Sequence, residues 1–165
     1  MKAALATVLS VLSFPAFGCF APPPEQVTAP EDLIQRTENI VLAEVIEAKS
    51  PLGTYEVTYT FQTVRTLKGD VSGEFQITGY PSIGEGSNRN FDHHNDEGFW
   101  SSGAGRSPNH TDCAIHPTFS VGGTYLVFLD HPYHVKSFEA IIRTHGDSEK
   151  RDKWLRYVET RTGPN

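Results

Sequence analysis

Cys113-Ala-Ile-His-Pro-Thr-Phe-Ser-Val-Gly-Gly-Thr-Tyr-Leu-Val-Phe-Leu-Asp130 is the most informative stretch of the chain. Its second half, Thr124 to Leu129, is an apolar and aromatic run too short for a stable helix. Gly122-Gly123 leads into it and Asp130-His131-Pro132 leads out, the signature of a buried strand between two turns. Cys113 stands a short way upstream, so whatever it bonds is held against the core. The other cysteine of the pair is Cys19.

Residues 1–18 explain the position of Cys19. Lys2, a short apolar run to Phe14, a break at Pro15 and then Ala16-Phe17-Gly18 form a basic, apolar and small-residue series. That series predicts a secretory signal peptide cleaved before Cys19. A membrane anchor is the competing reading, but a spanning helix needs about 20 apolar residues. No later stretch approaches that length. The expected mature chain, 19–165, is therefore one secreted or periplasmic domain. It has room for a single core.

The chain has 20 acidic against 14 basic residues, a net charge of −6, and no Lys/Arg cluster. Nucleic-acid phosphates would repel such a surface, so nucleic-acid binding is not expected. Two cysteines in an exported protein predict a Cys19–Cys113 disulfide. It would close a loop of roughly 95 residues, worth about 4–5 kcal/mol by chain entropy. A lipid anchor on Cys19 is the alternative. Phe17 fits a lipidation signal poorly, and acylation would strand Cys113 as an odd thiol; the alternative stays open.

Along the mature chain, Pro22-Pro23-Pro24 is stiff and extended. Thr28-Ala-Pro-Glu31 reads as a capping box opening a short helix, Pro30 to Thr37, with Leu33 and Ile34 inward. Strands are expected at Asn39–Ala48, Thr54–Leu67, Gly73–Tyr80, Tyr125–Leu129 and Phe138–Arg143. In the second, Tyr55, Val57, Tyr59 and Phe61 alternate with polar residues. The apolar phase then shifts to Val64 and Leu67, which predicts a bulge. Gly146-Asp-Ser148 should cap a closing helix, about 148–161, burying Trp154, Leu155 and Val158. The expected fold is all-β with a C-terminal helix: a five-stranded Greek-key barrel of oligomer-binding (OB) type, flanked by a short N-terminal and a packed C-terminal helix.

This order of features resembles the netrin-like module, which includes the tissue inhibitors of metalloproteinases. The resemblance rests on Cys19 with Pro22-Pro23-Pro24, Ile40-Val-Leu-Ala-Glu-Val45, and Tyr59-Thr-Phe-Gln-Thr-Val-Arg-Thr-Leu-Lys-Gly69. Cys113 and Phe119-Ser-Val-Gly-Gly-Thr-Tyr-Leu-Val-Phe128 complete it. It covers Cys19 to about Arg143, and its motifs are loose. It implies an OB barrel whose N-terminal cysteine is bonded to a later one. In the inhibitors the first cysteine's amine and carbonyl chelate a target protease's zinc, a role that would fall on Cys19, with Phe20 beside the specificity pocket. Those inhibitors carry a second cysteine where this chain has Ala21.

Residues 81–117 form a connection too long to be only a link. Its imidazoles and carboxylates make Asp92, His93, His94, His110, Asp112 and His116 candidate ligands for a transition metal. The bland reading is a solvated loop, with Phe99 and Trp100 packing on the barrel. His131 and His134 flank a Pro-Tyr turn and are expected to be exposed. No Gly-x-Ser-x-Gly or helical His-Glu-x-x-His motif occurs, and no catalytic residue is assigned. The expected function is a non-enzymatic binding module of unknown ligand, without a resident cofactor. Its binding face would use Cys19, Phe20, Phe99, Trp100 and Arg106. Metalloprotease inhibition through Cys19 and metal-dependent chemistry in the loop are the alternatives.

Overall fold

A computed structural model of the chain describes residues 19, 21–82, 94, 97–101, 105–141 and 152–163. The expected leader, Phe20, Asp92, His93, the end of the expected fifth strand and the start of the expected closing helix lie outside them. A 3-10 turn at Pro24–Gln26 precedes helix α1, Pro30–Arg36. Strands β1 (Ile40–Lys49), β2 (Val57–Lys68) and β3 (Glu74–Gly79) follow. Then come helix α2 (Glu97–Ser101), strands β4 (Thr124–Phe128) and β5 (Phe138–Ala140), and helix α3 (Lys153–Thr162). No helix among the described residues is long and apolar enough to cross a membrane.

The strands form one antiparallel sheet in the order β3-β2-β1-β4-β5. Strand β4 and the first half of β1, Ile40 to Val45, are covered on both faces, which is why their sequences show no polar alternation. Ile40, Leu42, Leu126 and Phe128 meet Leu33, Phe99, Trp154, Leu155 and Val158 of the helices. Val41, Ala43, Val45, Tyr125 and Val127 face the other way, into a second cluster with Tyr59, Phe61, Phe119 and Phe138. Phe119 is the centre of that cluster. Its ring lies 5.0 Å from Tyr59, 4.9 Å from Phe61 and 5.3 Å from Phe138, each edge-on. Rings from β2 and β5 reach one residue only because the sheet curls around it.

The curl does not close into a ring: β3 and β5 share no ladder among the described residues. Residues 117–119 fill the seam instead. Tyr80 N–H donates to the Pro117 carbonyl (3.0 Å), and the half-buried Arg106 side chain donates to the carbonyls of Phe138 (3.2 Å) and Thr118. Arg106 also stands 4.9 Å from the centre of the Tyr125 ring, a cation–π contact. Gly79 makes the close approach possible, since a Cβ there would fall 1.9 Å from the Pro117 oxygen.

Several sequence expectations need correction. Tyr55 precedes the β2 ladder, where no neighbouring strand covers it, and is 87% exposed. The expected bulge forms: pairing steps from Leu42–Arg65 to Ala43–Thr63, and the skipped Val64 turns outward. The capping box does not form. Ala29 is the N-cap of α1 without a side-chain bond, and the Thr28 carbonyl accepts from His134 Nε2 instead (3.0 Å). His134 is buried rather than exposed. The Leu-Lys-Gly turn has a physical basis: Lys68 Nζ donates to the Ile34 and Gln35 carbonyls at the end of α1 (2.8 and 2.9 Å). Gly69 takes φ +80° against the Asn39 side chain, a conformation suited to glycine.

Candidate functional site

Pro22-Pro23-Pro24 limits the N-terminal arm to extended backbone, and three connections fix where it runs. Cys19 and Cys113 form a disulfide with their Cα atoms 5.2 Å apart. Cys19 N–H donates to the Thr111 carbonyl (3.2 Å). The buried Gln26 side chain donates to the Cys113 carbonyl (2.7 Å) and accepts from Asn109 Nδ2 (2.6 Å), while its own carbonyl takes the Val135 N–H. Gln26 therefore satisfies groups of three residues on two segments at once. The sequence offered no signal for it.

Beside this junction three of the candidate metal ligands come together. His116 Nε2 and Asp112 Oδ2 are 2.6 Å apart, and the bond to His116 holds the Asp112 carboxyl below its usual range. The His116 ring stacks on Tyr80 with centroids 4.1 Å apart, and His110 stands edge-on at 5.2 Å from His116 and 5.5 Å from Tyr80. Asp112 and Cys113 are exposed, and His110 and His116 are half-buried. The result is a polar, aromatic surface around the anchored arm. Tyr80, at the end of β3, was not among the sequence candidates.

His94 lies elsewhere. It is 3% exposed, between Glu139 of β5 (Nε2 to Oε2, 3.1 Å) and Asp152 at the start of α3 (Nδ1 to Oδ2, 2.7 Å). Burial would lower its pKa, but the hydrogen bonds to Asp152 and Glu139 override that and push it up to about 9. The imidazole is thus a cation bridging two carboxylates. The other Glu139 oxygen accepts from the Arg106 N–H (2.8 Å), and the other Asp152 oxygen caps α3 by accepting from Leu155 N–H (2.8 Å). Lys136, also buried, places its ammonium 4.6 Å from the centre of the Phe99 ring. Burial pulls its pKa down to about 8 against the opposing charge of Glu139.

The candidates therefore separate into two places. Cys19, His110, Asp112 and His116 share the surface at the disulfide, whereas the buried His94 and Phe99 and the half-buried Arg106 join the loop to the sheet. Trp100, half-buried, packs against Tyr157 of α3. Among the described residues no group of three or more His, Cys, Asp or Glu is arranged to hold a metal. No protein-family model matches the chain, and no curated protein does.

Proposed function

We propose that this protein is an exported, non-enzymatic binding module of netrin/OB type, whose ligand face is formed by the arm from Cys19 and residues 109–118. The observation that carries this reading is the anchoring of Cys19 to Cys113 and Thr111 beside the exposed Asp112 and the stacked Tyr80–His116 pair. Ordering the arm before a ligand arrives lowers the entropy cost of binding. The strand order supports the OB assignment, because a ring closed between β3 and β5 would have the order of that barrel. Immobilised mature protein should retain a partner from its native extracellular medium. Tyr80→Ala and His116→Ala should lose that partner. Equal retention by both variants would contradict the proposed face.

A second reading is metalloprotease inhibition through the Cys19 amine and carbonyl. It is favoured by the cysteine's position at the surface, half-buried and covalently held. Mature protein should then inhibit a zinc protease and lose that effect when its α-amine is carbamylated. Absence of inhibition, or inhibition that survives carbamylation, would rule it out.

A further inference from the structure

The molecule carries, apart from the disulfide face, a feature that the arm does not explain. A groove of about 290 Å³ runs between α2 and α3, lined by Trp100, Lys153, Arg156, Tyr157, Thr160 and Arg161. Three cations border one concavity on a chain whose net charge is −6. Their situations differ. Arg161 lies flat on the Tyr157 ring, 3.4 Å from its centre, and 3.6 Å from Glu31. Arg156 is exposed, and among the described residues its guanidinium has no hydrogen bond or ion pair. The Tyr157 ring is covered by Trp154 and Arg161, so the aromatic surface left to the groove is Trp100. A flat apolar wall beside a bare guanidinium suits a ligand that is planar at one end and anionic at the other. The volume falls just short of the usual range of small-molecule sites, about 300–1,000 Å³, which limits the ligand to a small one.

We propose that this groove binds a small ring-bearing organic anion, a carboxylate or phosphate ester, with its ring against Trp100 and its charge on Arg156. Lys153 and Arg161 add to the local field, which salt screens over about 8 Å at physiological ionic strength. Calorimetric titration of the full mature protein with phenyl phosphate, inorganic phosphate and benzylamine tests it. Phenyl phosphate should bind saturably and more tightly than inorganic phosphate, and benzylamine should not bind. Arg156→Gln should weaken phenyl phosphate about tenfold, with Arg156→Lys intermediate. Lack of saturable phenyl phosphate binding, equal binding of benzylamine, indifference to the ring, or an unchanged affinity in Arg156→Gln would each overturn the proposal. None of these residues belongs to the disulfide face, so this result and the partner-retention result stand apart.

Discussion

At the scale of single residues, His94 and His134 show how one side-chain type is driven to opposite charge states. His134 Nε2 donates to the Thr28 carbonyl and its Nδ1 accepts from Lys136 N–H (3.0 Å), so both nitrogens are satisfied in the neutral ring. Burial lowers its pKa to about 4. Its contribution to stability is present above pH 6.5 and is lost as pH falls towards 4. His94 behaves in the reverse sense. Its folded pKa, about 9, exceeds the ordinary 6.5, so its contribution is complete below pH 6.5 and is lost as pH rises to about 9. Lys136, lowered to about 8, opposes that loss, because alkaline pH relieves the cost of burying its charge. Urea unfolding at intervals between pH 6 and 10 should show stability falling from pH 6.5 to 9. His94→Gln should remove that slope and cost about 3 kcal/mol at pH 7, since the buried Glu139 and the half-buried Asp152 lose their cation. A slope unchanged in the variant would show that His94 is not its source. None of this was legible in the sequence. His94, Glu139 and Asp152 are far apart in the chain, and a histidine in an acidic loop reads as solvated.

Among the elements, legibility followed the way each one is covered. The alternation of Val57, Tyr59 and Phe61 placed β2, because that strand has one core face. The unbroken runs of β1 and β4 identified buried strands, but not that helices cover one face and the Phe119 cluster the other. Helix α2 escaped notice: it is five residues long, contains Gly98 and is held by Phe99 packing on Trp154 (5.6 Å) rather than by propensity. That packing is a large part of what fastens the helices. Trp154→Ala should cost about 3–5 kcal/mol in urea unfolding, and a loss under 1 kcal/mol would contradict the packing described. The seam makes a separate demand. Gly79→Ala should push β3 away from Pro117 and cost about 1–3 kcal/mol, with faster amide exchange at Tyr80. Unchanged exchange there would mean that the close approach is not needed.

For the molecule as a whole, a curled five-stranded sheet is locked by a cross-link spanning 94 residues of sequence. The number of strands, the C-terminal helix and the cysteine pair could all be read from the chain. The open seam could not, because Arg106 and residues 117–119 occupy it through backbone carbonyls that leave no sequence pattern. Chain entropy assigns such a cross-link about 4–5 kcal/mol. Gln26 still anchors the arm beyond Pro23, so the Cys19→Ser/Cys113→Ser pair should fold, with a lower urea midpoint. The account depends above all on the state of Cys19 in the protein exported under the proposed reading. Mass spectrometry of the mature chain's peptides, before and after reduction, measures it directly. The expected result is a peptide beginning at Cys19, unacylated and joined to the Cys113 peptide until reductant separates them. A lipid on Cys19, or Cys113 recovered as a free thiol without reduction, would contradict it.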